Sequence, residues 1–167
     1  MNFLYRNARW ITLAPVVLIL LMIFFFSAQD AERSSRTSGR VVDAVIRVSV
    51  PKYSTYSRKK QISVRERISY RVRKAAHFTE FALLGFFLLI HLLAVDRRGL
   101  PLRALLAWAL GVVFAGLDEV HQLFSQGRAG RVFDVMIDSS GVLFGVVLAV
   151  FLWRLFLTLR NRRQGKS

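Results

Sequence analysis

The chain has 167 residues and no cysteine. That removes disulfides, thiolate metal sites and cysteine nucleophiles together. Acidic residues are scarce as well: 10 Asp and Glu stand against 25 Lys and Arg, for a net charge of +15. In a soluble protein such an excess is a nucleic-acid footprint. Here the basic residues flank apolar stretches, so anionic lipid headgroups are the expected partner and nucleic acid is not. Polar surface is in short supply too. Hydrophobic residues make up 54% of the chain, Phe occurs 14 times, and the mean hydropathy is +0.40. A soluble domain of this size could not cover so much apolar side chain. The composition is that of an integral membrane protein of one domain, residues 1–167.

Long uncharged runs are also fewer than a membrane bundle needs. Only Trp10–Gln29, at 20 residues, spans by itself. It follows Arg6 and Arg9, and Ser27-Ala28 resembles a weak cleavage site. Signal h-regions run about 7–15 residues, so a retained helix is expected. The other runs are Phe81–Val95 (15 residues), Ala104–Leu117 (14) and Ser139–Trp153 (15). Each falls short of the ~20 residues that cross the hydrocarbon, and each must take in charged neighbours. The expected fold is all-α: a bundle of four transmembrane helices at about 10–28, 75–95, 102–122 and 133–156.

Threading four spans places the start of span two, the end of span three and the start of span four on one face. His77, Glu80, Asp118, Glu119, His121, Gln122, Asp134 and Asp138 therefore share a layer. Glu80 lies about 9 Å beyond Lys74 along a helix, with His77 three residues before it. Ionisable groups at such depth are functional-site hypotheses by default.

The long basic loop, residues 29–73, lies on that same face. Ser38 is placed to cap a short helix with Val41, Val42, Val45 and Ile46 on one side. Ser63 and Glu66 match a capping box. The helix they would start carries Ile68 and Val72 on one side and Arg65, Arg67, Arg71 and Arg73 on the other. It would run into span two. Both elements read as interfacial and amphipathic, with Tyr53, Tyr56 and Tyr70 in the headgroup zone. Ala107, Gly111 and Ala115, and the Gly141/Gly145 pair, mark close helix packing, expected inside one bundle more than between copies.

Three readings of the polar layer compete. The plain one is a structural network in which Arg73, Lys74, Arg128 and Arg131 neutralise the carboxylates. The second is a metal site. His77, Glu80, Asp118 and His121 offer nitrogen and oxygen ligands for zinc or manganese, but there is no HExxH motif. The third, a serine nucleophile at Ser125, Ser139 or Ser140, lacks any G-x-S-x-G elbow. Gln126 to Arg131 forms a basic turn able to hold a phosphate or carboxylate; a tight turn with lipid-facing charges is the alternative. His91, near the other face, reads as packed or snorkelling. Charges gathered at one end leave no polar path through the bundle, which argues against a transporter.

Orientation rests on conflicting signals. A raw count of basic residues would put the loop inside, with 15 of the 25 on that face. Twelve of these are in the loop itself, where amphipathic elements lie on the membrane. The tail Arg160-Asn161-Arg162-Arg163-Gln164-Gly165-Lys166 is a strong cytoplasmic signal. Both termini are expected in the cytoplasm of a bacterium, with the polar layer outside.

Three segments carry a family resemblance. They are Phe24-Phe25-Phe26-Ser27-Ala28-Gln29, then Arg73-Lys74-Ala75-Ala76-His77-Phe78-Thr79-Glu80-Phe81, then the stretch from Asp118 to Gly145. In order and spacing they resemble the VanZ-like family of bacterial membrane proteins. The basic loop does not match in detail. The resemblance implies functional positions at Ser27, Gln29, Lys74, His77, Glu80, Asp118, Glu119, His121, Gln122, Arg128, Asp134, Asp138 and Gly141. The family's defining member is associated with low-level resistance to the glycopeptide antibiotic teicoplanin. The expectation is a cell-envelope protein that binds an anionic lipid or lipid-linked wall precursor at the outer face and limits antibiotic access. The alternative is an intramembrane metal-dependent hydrolase of a lipid-linked phosphate or peptide, with Glu80 and Glu119 as catalytic candidates.

Overall fold

The computed structural model describes residues 2–29, 31–124 and 131–164. Regular structure among them is helical. It comprises α1 (Asn2–Ser27), α2 (Ala31–Thr37), α3 (Gly39–Ser49), a 3-10 turn (Tyr53–Thr55), α4 (Arg58–Val95), α5 (Leu100–Gln122) and α6 (Val132–Gln164). Four of these, α1, α4, α5 and α6, are long and apolar enough to cross a membrane. The protein is an all-α membrane bundle.

α4 is its central post and packs against α1, α3, α5 and α6. The shared core joins Val16, Ile19 and Ile23 of α1 to Phe81, Leu84, Leu88 and Leu89 of α4, with Ala107 and Ala115 of α5 and Val142, Val146 and Ala149 of α6. Large apolar side chains such as Leu18, Phe25, Val113 and Phe151 point outward, as lipid-facing positions should. Between helices in lipid, close backbone approach must do what hydrophobic burial does in water. α4 and α6 achieve it through glycine. A Cβ at Gly141 would lie 2.5 Å from the Phe78 carbonyl oxygen, and one at Gly145 would overlap the Ala82 carbonyl. Gly85 of α4 is pressed in turn against the backbone of Val142. Ala107, Gly111 and Ala115 form the buried ridge of α5. The small-residue signals serve packing within the chain.

The basic segment is more helical than its sequence suggests. α4 begins at Arg58, so the Ser63–Glu66 box lies inside a 38-residue helix and starts nothing. Lys, Arg and Gln are good helix formers, and a side-chain knot fixes the start. Gln61 Nε2 donates to the carbonyls of Tyr53 (3.2 Å) and Tyr56 (3.1 Å), while the Tyr53 hydroxyl donates to the Gln61 carbonyl at 3.1 Å. Ser38 does precede α3, but its hydroxyl donates to Ser34 O at 3.0 Å and makes no cap. α3 buries Val42 and Ile46, and Asp43 pairs with Arg65 at 2.5 Å. Val41 is exposed.

At the far end of the bundle, Asp96 closes α4 and accepts from the Arg98 side chain and backbone N–H. Those bonds hold its carboxyl below the usual range. His91 Nδ1 lies 3.0 Å from Thr12 Oγ1, joining α4 to α1.

Candidate functional site

Three helix ends and the middle of α4 build one polar layer. α1 ends on Ser27, which is fully buried, with Gln29 just beyond it. α4 passes through with Lys74, His77 and Glu80. α5 ends on Asp118, Glu119, His121 and Gln122. α6 begins with Asp134 and Asp138. Asp118, Glu119, Gln122, Asp134 and Asp138 are all more than nine-tenths buried. Arg128 and the rest of the Gln126–Gly130 turn lie outside the described residues; Arg131 is described.

The contacts sort the layer into parts. Gln122 Nε2 donates to Asp118 Oδ2 at 2.7 Å and reaches Ser27 Oγ at 3.5 Å, tying α5 to α1. Lys74 Nζ meets Asp134 Oδ2 at 2.5 Å, tying α4 to α6. Glu119 Oε1 accepts the Arg131 backbone N–H at 2.5 Å. The His121 ring stacks on Phe24 with centroids 4.5 Å apart. Gln29 Oε1 accepts the Thr37 hydroxyl at 3.1 Å.

At the centre, His77, Asp118 and Asp138 offer one nitrogen and two carboxylate oxygens within 4.8 Å of one another. This is not the four-residue set expected from the sequence. His77 and Asp118 are in it. Glu80 lines the same cavity as His77 but is not in the cluster with Asp118 and Asp138; a residue three on is rotated about 60° from the first. His121 is turned onto Phe24. Asp138 joins instead, one turn below Asp134 on α6.

The expected neutralising cations are only partly engaged. Lys74 reaches Asp134. Arg73 NH1 donates to Ser69 Oγ at 3.1 Å, and Arg131 meets Glu119 through its backbone. Glu119 Oε2, His121 Nε2 and Asp134 Oδ1 are buried with no hydrogen-bond partner among the described residues.

Two clefts run up to this layer from the apolar bundle. One, of about 460 Å³, lies between α1 and α5 and is walled by Val17, Leu20, Phe24 and Phe114, with Asp118 and His121 at its end. The other, of about 620 Å³, lies between α1, α3 and α4. Met22, Phe26 and Leu83 form its apolar part; Gln29, Thr37, Arg73, His77 and Glu80 form its polar part. Thr37 and Ser69 were not readable as site residues: α2 carries no periodic apolar pattern, and a lone serine among arginines gives no signal.

A family model described as VanZ/LLP1 matches residues 12–154. No curated protein matches the chain, and no solved structure matches it.

Proposed function

The chain belongs to the VanZ/LLP1 family, and from that premise we propose that it is an envelope protein that holds one anionic amphiphile at the outer face of the bacterial cytoplasmic membrane. The ligand is an anionic lipid or a lipid-linked wall precursor. Holding it there limits the access of glycopeptide antibiotics to their target. Both termini lie in the cytoplasm.

One observation carries the reading: the 620 Å³ cavity joins a largely apolar wall to a group of polar side chains. Its apolar part is walled by side chains of the membrane-spanning helices, where a hydrocarbon chain belongs. Its polar part offers the Arg73 guanidinium, the Gln29 carboxamide and the Thr37 hydroxyl, which suit a phosphate or sugar headgroup. A basic stripe on α4, Lys60, Arg67 and Arg71, borders a further cleft of about 350 Å³ against α3. Lysines and arginines at that level attract anionic headgroups at about 1 kcal/mol each.

The experiment is native mass spectrometry of protein extracted in mild detergent, beside drug sensitivity of cells with and without the gene. An anionic lipid should be retained, and lost when Arg73→Ala and Leu83→Trp are combined. Cells lacking the gene should be more sensitive to teicoplanin. A protein that keeps no lipid, in cells whose sensitivity does not change, removes the reading.

A further inference from the structure

We infer that His77, Asp118 and Asp138 form a site for one divalent cation of the zinc or manganese type, clamped between α4, α5 and α6. The inference does not rest on the lipid reading, although His77 also lines the lipid cavity.

Geometry comes first. A point equidistant from three atoms spaced 4.8 Å apart lies about 2.8 Å from each. Metal–nitrogen and metal–oxygen bonds are about 2.0–2.2 Å, so each side chain closes by less than about 1 Å, a small torsional change. One imidazole and two carboxylates are a borderline donor set. It suits zinc or manganese better than calcium or magnesium, which favour oxygen alone.

The charge balance points the same way. Asp118, Glu119, Asp134 and Asp138 are each at most 7% exposed. Among the described residues, the one ammonium or guanidinium in contact with them is that of Lys74, on Asp134. Asp138 is 2% exposed and makes no hydrogen bond or ion pair with any described residue, yet it points at His77 and Asp118. Glu119 and Asp134 each keep one buried oxygen without a hydrogen-bond partner there. A buried carboxylate without a partner is costly and is met by a proton or a cation. Three helices converging their ligand atoms on one point favour the cation.

The support around the site is also in place. The Gln122 amide donates to Asp118 Oδ2 at 2.7 Å and is backed by Ser27. This fixes the carboxylate and leaves its other oxygen for the ion, as outer-shell partners do in metal sites.

The test uses the full chain in detergent, stripped with chelator and then titrated with Mn²⁺ alone, reading free Mn²⁺ by electron paramagnetic resonance. Zn²⁺ retention after desalting is counted by elemental mass spectrometry. The expected result is one ion per chain and a Tm that rises on adding metal. Asp138→Asn should weaken binding by roughly 100-fold and abolish the Tm rise, and Gln122→Ala should weaken it by about 10–100-fold. Exposed Glu66→Gln should bind as the parent does. If Asp138→Asn fails to fold, Gln122→Ala decides alone. Folded protein that takes up no ion overturns the inference, as does undiminished binding in the folded variants. No lipid enters this titration, so its failure leaves the lipid experiment to be read by itself.

Discussion

Lys74 on α4 and Asp134 on α6 meet at 2.5 Å, with only 19% and 10% of their side chains exposed. Breaking a largely buried pair from one side strands the other charge. Lys74→Met leaves Asp134 with a second oxygen that already has no partner among the described residues. The expected loss is about 2–3 kcal/mol, or a Tm fall of roughly 4–12 °C for a chain of this size. Lys74→Met with Asp134→Leu should recover most of it, because no charge is then left unpaired. Thermal melts of the four proteins in one detergent check this. Simple additivity in the double variant would show that the pair does not act as a unit.

The α4–α6 seam makes a sharper steric prediction. A methyl at Gly145 would overlap the Ala82 carbonyl and come within 2.9 Å of Phe86 N. Backbone atoms cannot step aside as a side chain end can. Gly145→Ala should therefore cost about 3 kcal/mol, the upper end of overpacking penalties. Gly116, in the middle of α5, has nothing within 4 Å of its Cβ position. Gly116→Ala should be neutral or raise the Tm, since alanine is the better helix former by about 1 kcal/mol. Equal losses at both positions would mean that helix approach is not what Gly145 provides.

The two glycines also show what the sequence makes legible. Spacing at i, i+4 marked Gly141 and Gly145 as a packing site, and Ala107, Gly111 and Ala115 as another. The polar layer was legible for a related reason: three spans too short without their charged ends had to bring Asp118, Asp134, Asp138 and His77 to one level. Which groups touch was not legible. Glu80 and His77 share a helix face by spacing and line one cavity, yet His77 is the one whose ring also meets Asp118 and Asp138. Arg131 stood as a guanidinium, but it meets Glu119 through its backbone N–H. The start of α4 escaped too. A capping box is a local pattern, whereas the helix begins where Gln61 ties back to Tyr53 and Tyr56.

The α3–α4 pair offers a test of what holds the basic segment down. Val42 is 1% exposed and Ile46 5%, while the Asp43–Arg65 pair is about half-exposed on both sides. Burial should outweigh charge. Val42→Ala should cost about 1–2 kcal/mol and speed hydrogen exchange across 39–49 without touching α5 or α6. Asp43→Asn should change stability by under about 1 kcal/mol. Faster exchange in Asp43→Asn than in Val42→Ala would reverse that ranking.

Sidedness is the prediction on which the antibiotic reading depends, and the absence of cysteine makes it clean to measure. Ser57 stands at the N-terminal boundary of α4, before the helix reaches the polar layer at Lys74. Asn161 lies near the end of α6, among Arg160, Arg162 and Arg163. Three crossings separate them, so single Ser57→Cys and Asn161→Cys variants should react on opposite sides of the membrane. With the basic tail inside, an impermeant maleimide added to intact cells should label Ser57→Cys at once and Asn161→Cys only after permeabilisation. The opposite pattern would turn the polar layer toward the cytoplasm. The cavity and the cation site would stand unchanged, but neither would face an antibiotic that acts from outside, and the ligand would have to be sought among lipids of the inner leaflet.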